Sequence, residues 1–113
     1  MHKFDLKNRT AIITGGAQGF GLDIAIRFLD SGAKVIIWDI DQDLLLKTHT
    51  EINNPNLSYN RVDVSDFQNV EKTVNEITKS TDIDILINNA GITGSTSTLW
   101  DYNVDEWNKI IQI

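Results

Sequence analysis

Short continuous apolar runs and longer stretches of helical periodicity take turns along most of the chain. Thr10 to Thr14 (T-A-I-I-T) and Lys34 to Trp38 (K-V-I-I-W) are brief, β-branched and unbroken, which predicts parallel strands buried on both faces. Between them Ile24, Ala25, Phe28 and Leu29 recur at helical spacing, predicting a helix from Phe20 to Leu29 that Ser31-Gly32 stops. Asp41 to Thr50 predicts a second helix, with Leu44, Leu45 and Leu46 near its start. The turn cluster Asn53-Asn54-Pro55-Asn56 precedes a third strand expected around Leu57 to Val62. Ser65 or Asp66 can cap a helix from Phe67 to about Lys79, whose Val70, Val74 and Ile77 share one face. Ile83 to Ile87 reads as a fourth strand, although Asp84 breaks its apolar character, and Asn88-Asn89-Ala90-Gly91 ends it in a turn. Thr93 to Thr98 is a polar loop, and Val104 to the terminus, with Trp107, Ile110 and Ile111, predicts the start of one more helix.

Strands alternating with helices at these spacings predict right-handed βαβ units and an α/β doubly wound parallel sheet, helices on both faces. Such sheets bind ligands outside the carboxyl ends of their strands. With 113 residues a single domain covering 1–113 is expected. Its 41 % apolar and 23 % charged residues are those of a globular protein. A net charge of −6 argues against a nucleic-acid partner, because such binders neutralise phosphates with clustered Lys and Arg. The absence of Cys excludes disulfides, thiolate metal sites and a Cys nucleophile. No metal is expected either, since His2 and His49 have no partner at ligand spacing and read as solvent-exposed. Trp100, Tyr102 and Trp107 read as packing aromatics rather than a base-stacking platform. The start of the chain has no long apolar stretch, so no membrane partner and a cytoplasmic location are expected.

The stretch Thr14-Gly15-Gly16-Ala17-Gln18-Gly19-Phe20-Gly21 joins the first strand to the first helix. There Gly15 permits a tight exit from the strand, Gly19 lets backbone approach a pyrophosphate, and Gly21 allows close packing of the helix. The free N–H groups and positive dipole end of that helix favour an anion, by about 0.3–1 kcal/mol and up to ~2 in partly buried geometry. The plainer alternative is that the glycines only make a turn. A P-loop is a poor alternative, because Leu22-Asp23 stands where Lys-Ser or Lys-Thr is needed.

Asp39 ends the second strand, 18 residues beyond Gly21, near the spacing of roughly 20 expected for a carboxylate that accepts ribose hydroxyls. It could equally be a turn or cap residue. As a ribose ligand it would repel a 2′-phosphate, and neither Gln18 nor Ile40 offers a compensating charge, so NAD is favoured over NADP.

The T-G-x-x-x-G-x-G arrangement at Thr14–Gly21, followed in order by Asn88-Asn89-Ala90-Gly91, resembles the short-chain dehydrogenase/reductase family from Asp5 to Ile113. The resemblance implies a Rossmann-type dinucleotide-binding fold and an NAD-dependent oxidoreductase acting on a small alcohol or carbonyl compound, self-associating in its full-length form. It implies cofactor contacts for Gly15, Gln18, Gly19, Phe20 and Gly21, for Asp39 and Ile40, and for Asp63, which would recognise the adenine amino group with Val64 beside it. An Asx-turn before the Phe67 helix is the equal alternative for Asp63. Asn89, Ala90 and Gly91 would approach the adenosine side, while Asn88 would stabilise the sheet.

Family catalysis uses a Tyr acid/base, a Lys four residues after it, a Ser and an Asn. Tyr59 and Tyr102 have Asp63 and Glu106 at the fourth following position, so no catalytic residue is assigned. The resemblance would put the family Asn directly after Ile113. The chain is therefore expected to be an incomplete domain, truncated after the fourth strand and the start of the next helix and inactive alone; a non-catalytic NAD-binding module is the alternative. Truncation would also leave Ile83 to Ile87 as an apolar edge.

Overall fold

A computed structural model describes residues 5–89. Their elements are β1 (Thr10–Thr14), α1 (Gly19–Asp30), β2 (Lys34–Asp39), α2 (Gln42–Ile52), β3 (Leu57–Arg61), α3 (Phe67–Thr78) and β4 (Ile85–Asn88). The strands form one parallel sheet in the order β3-β2-β1-β4, the doubly wound order expected. Among the described residues β1 is thus flanked on both sides, while β3 and β4 lie outermost.

Strand geometry sends consecutive side chains to opposite faces, and β1 shows it with two adjacent isoleucines. Ile12 joins Ile36, Trp38, Val62, Val70 and Val74 on the α3 side. Ile13 joins Val35, Ile37, Ala25, Leu29 and Leu45 on the side of α1 and α2. All five residues of β1 are buried, as the unbroken apolar run demands. Each fully buried Ile or Val contributes roughly 1.5–3 kcal/mol relative to exposure. Trp38, wholly buried, satisfies its indole N–H by donating to Asn60 Oδ1 at 3.3 Å.

The predicted helices form, with shifted ends that have local causes. Helix α2 runs on to Ile52 because Asn53 accepts a left-handed backbone (φ 49°) and donates its N–H to the His49 carbonyl. Asp66, not Ser65, caps α3, accepting the N–H groups of Gln68 and Asn69. His49, expected in solvent, is half-buried instead. Its Nε2 lies 3.0 Å from the Leu57 carbonyl and its ring meets Tyr59 edge-on, because α2 packs on β3. His2, Trp100, Tyr102, Trp107 and the expected last helix lie outside the described residues.

The fourth strand starts later than Ile83, and Asp84 is the reason. Its N–H donates to the Thr10 carbonyl at 2.9 Å while its Oδ2 accepts the Thr10 N–H at 2.9 Å. Arg9 supports the same carboxylate at 3.7 Å. Asp84 therefore clamps the first residue of β1, and Ile83 is buried ahead of the ladder. Asp84→Ala would leave the N–H of Thr10, a residue only 4 % exposed, without its acceptor. The expected loss is about 1–3 kcal/mol of unfolding free energy, with Asp84→Asn losing less because an acceptor oxygen remains. Denaturant titration of both variants checks this, and equal losses would show that the acceptor is not what matters.

Candidate functional site

The chain leaves β1 at the carboxyl edge of the sheet, where Gly15 turns it at φ 63°. Gly15, Gly16 and Ala17 are each held from a different part of the fold. The Gly15 carbonyl accepts from Asn89 Nδ2 at 3.2 Å, beyond β4. The Gly16 N–H donates to the Trp38 carbonyl of β2 at 3.3 Å. The Ala17 carbonyl accepts from the Thr48 hydroxyl of α2 at 3.0 Å. Asn89 is itself positioned by its N–H, which donates to Thr14 Oγ1 at 2.9 Å. The Thr14 hydroxyl also lies 3.4 Å from Asn88 Oδ1, a contact between the paired ends of β1 and β4.

Two glycines are dictated by this clasp. A Cβ on Gly16 would stand 2.6 Å from Ile37 Cγ2. One on Gly21 would stand 2.2 Å from the Gly15 carbonyl oxygen and 2.7 Å from Asn89 Nδ2. Gly21 thus lets the first turn of α1 close on its own loop, a contact different from the helix-on-sheet packing expected. Gly19 is the opposite case: at φ 60° it has the left-handed backbone that favours glycine, and a Cβ there would meet nothing within 4 Å.

Open space at Gly19 coincides with an unusual helix start. Asp41 and Asp66 cap α2 and α3 through their carboxylates. At α1 the N-cap is Gln18, exposed and extended, with no side-chain cap and no acidic residue in the first turn. Its leading N–H groups are therefore presented toward the opening, an arrangement suited to an anion. Phe20 stands 75 % exposed beside them.

Asp39 closes β2 in register with Arg61 on β3, and its carbonyl accepts the Val62 N–H. Its Oδ1 accepts the Asp41 N–H at 3.1 Å, so the turn role is real, yet a carboxylate has about four acceptor sites and this uses one. Ile40 next to it is 54 % exposed. Asp63 makes an Asx-turn, its Oδ1 accepting both the N–H and the hydroxyl of Ser65. The Ser65 hydroxyl first, then its N–H and the charge of Arg61, hold the Asp63 carboxyl below its usual range against the opposing effect of burial. Val64 turns its side chain to the core on the α3 side. Ala90 and Gly91 lie outside the described residues.

Gly15, Gly21 and Asn89 are thus brought into one clasp, with Gln18, Gly19 and Phe20 on its open side. Asp39 and Asp63 follow along the same edge, at the ends of neighbouring strands. The contacts of Gly16 with Ile37 and of Thr48 with Ala17 are not marked in the sequence. The available signal for Thr48 was a hydroxyl three residues after buried Leu45, on the apolar face of α2. Arg61 also went unremarked, since only strand register reveals its place beside Asp39.

Comparison with known proteins places this architecture. The short chain dehydrogenase family model matches residues 9–113. The 2-dehydro-3-deoxy-L-rhamnonate dehydrogenase (NAD(+)) of Sphingomonas sp. strain SKA58 is 38 % identical over 93 % of this chain, which covers 42 % of that protein. The 2-keto-3-deoxy-D-gluconate dehydrogenase of Streptococcus agalactiae superposes with a TM-score of 0.73 at 32 % identity, over 98 % of this chain and 42 % of its own. RhlG of Pseudomonas aeruginosa, solved as an NADP active-site complex, gives a TM-score of 0.75 at 30 % identity, over 99 % of this chain and 47 % of its own. The chain spans less than half the length of these relatives.

The glycine geometry makes a prediction that concerns stability alone. Gly21→Ala forces backbone apart and is expected to cost more than the ~1–3 kcal/mol typical of overpacking. Gly19→Ala meets no atom and should cost only the ~1–2 kcal/mol of a left-handed backbone. Thermal unfolding of the two variants should show the larger fall for Gly21→Ala, and the reverse order would contradict the clasp.

Proposed function

The chain belongs to the short chain dehydrogenase family, and from that membership we propose that it binds NAD at the carboxyl edge of its sheet for an oxidoreductase acting on an alcohol or carbonyl substrate. The observation that carries the reading is the uncapped start of α1, presented through a loop held by three elements. Gly15, Gln18, Gly19, Phe20 and Gly21 would receive the pyrophosphate, with the leading N–H groups of α1 as donors. Asp39 would accept from the adenosine ribose hydroxyls beside Ile40. Asp63 would meet the adenine amino group, with the backbone of Val64 beside it, and Asn89, Ala90 and Gly91 would line the adenosine side.

When bound, the nicotinamide supplies a site that accepts or delivers hydride. The chain's own residues hold and orient the cofactor. A loop whose peptides are fixed in advance loses little freedom on binding, so more of the gross contact energy remains as affinity. Proton transfer needs a positioned acid, which typically contributes about 10²–10⁴-fold. Tyr59 is occupied against His49 and is followed at the fourth position by Asp63 rather than Lys. Proton transfer is therefore assigned to family segments without a counterpart among these residues.

Relatives carry both cofactor types, one named for NAD(+) and one solved with NADP. Asp39 favours NAD here, since two like charges about 4 Å apart repel by ~4 kcal/mol at an effective dielectric of 20. A surviving ~1.4 kcal/mol gives a tenfold preference. Calorimetric titration should find NAD bound at least about tenfold more tightly than NADP, and Asp39→Ala should shrink the gap. Equal affinities, or a preference for NADP unmoved by Asp39→Ala, would overturn the assignment.

Residues 1–113 expressed by themselves are expected to bind NAD yet show no change in NADH absorbance with a panel of alcohols and carbonyl compounds. Turnover abolished by Gly19→Val would place the chemistry within these residues after all.

A further inference from the structure

Four threonines lie within the described helices, and three use their hydroxyls alike. Thr50 donates to the Leu46 carbonyl at 2.8 Å, Thr73 to Asn69 at 2.8 Å and Thr78 to Val74 at 2.9 Å, each the carbonyl four residues back in its own helix. This is the ordinary local bond of a helical hydroxyl. Thr48 departs from it. Buried at 4 % exposure, it donates at 3.0 Å to the Ala17 carbonyl, 31 positions away and one residue before the N-cap of α1.

The helix that carries Thr48 begins just after Asp39, and the first link between them is the Asp41 N–H donated to Asp39 Oδ1. Asp41 then caps α2 by accepting the Leu44 N–H at 3.0 Å. One helix therefore connects the carboxylate at the end of β2 to the peptide that aims the loop. Ala17 is itself 1 % exposed, so water is a poor substitute for the hydroxyl if it is removed.

We propose that Thr48 is a positioning residue for pyrophosphate recognition, its hydroxyl setting the orientation of the Ala17 peptide so that the Gln18–Gly19 backbone faces the anion. The proposal rests on the cofactor reading above and goes beyond it by naming a side chain of α2 that touches no cofactor yet sets its affinity. Losing the bond would let the peptide rotate, and ligands with a pyrophosphate would suffer while those without one would not.

The test measures dissociation constants of ADP-ribose and adenosine, by NMR titration, for the wild-type chain, Thr48→Val and Thr48→Ser. Thr48→Val should weaken ADP-ribose by about five- to tenfold, the worth of one internal hydrogen bond, and leave adenosine within about twofold. Thr48→Ser, which keeps the hydroxyl, should restore ADP-ribose binding. The ratio of the two constants is the quantity to read, because both ligands bind only folded chain and partial unfolding cancels from it. If Thr48→Val does not fold, Thr48→Ala takes its place with the same ratio. An unchanged ratio in a variant lacking the hydroxyl, or equal weakening of both ligands, overturns the positioning role and leaves the cofactor reading standing. A wild-type chain that binds neither ligand overturns both.

Discussion

A central strand buried on both faces cannot turn where it pleases, and the exit of β1 inherits that constraint. Ladder bonds to β2 on one side and β4 on the other fix its direction, while the two core clusters fill the space above and below. The chain has to leave the sheet within a few residues and reverse into α1 without a side chain on the inner path. Gly16 and Gly21 answer that demand, since a Cβ at either would collide with Ile37 or with the loop's own carbonyl. What is left at Gly19 is bare backbone, in a loop held from three directions and leading into the N–H groups of a helix.

The three described helices share a direction relative to the sheet but not a chemistry at their starts. Two end their N-terminal demand internally, with Asp41 and Asp66 accepting the first amides. The third is left without an internal acceptor at the point where the glycines clear the approach. Keeping carboxylates out of the first turn of one helix, while Asp41 and Asp66 cap its neighbours, puts the attractive end of a dipole beside the acidic ends of β2 and β3. Arg61, in register with Asp39, lies along the same edge, and its charge adds to the Ser65 hydrogen bonds that hold the Asp63 carboxyl below its usual range.

How far the sequence carried the structure depended on the range of the interaction. Strands and helices were legible because periodicity and β-branched runs are local properties, and the parallel sheet followed from their alternation along the chain. The Gly15, Gly19 and Gly21 pattern and the place of Asp39 were legible because they sit at element ends. Thr48 and Gly16 were not, since their partners are Ala17 and Ile37, which only folding brings near. His49 was misread for the same reason: a histidine on a polar stretch of α2 looks solvated until β3 supplies a carbonyl and a tyrosine ring. Asp84 was noticed only as a blemish in an apolar run, because its acceptor role depends on Thr10, 74 positions earlier.

That separation gives Asp84 a meaning for assembly. β1 and β4 are neighbours in space but distant along the chain, so their pairing closes a long loop late and slowly compared with the local βα contacts. An error at that step would be severe: sliding β4 by one residue exchanges the faces of Leu86 and Ile87, which now belong to opposite core clusters. A purely apolar strand would have little to distinguish the two alignments. The carboxylate of Asp84 can accept the Thr10 amide in one of them only, and so acts as an alignment mark for β4 against β1.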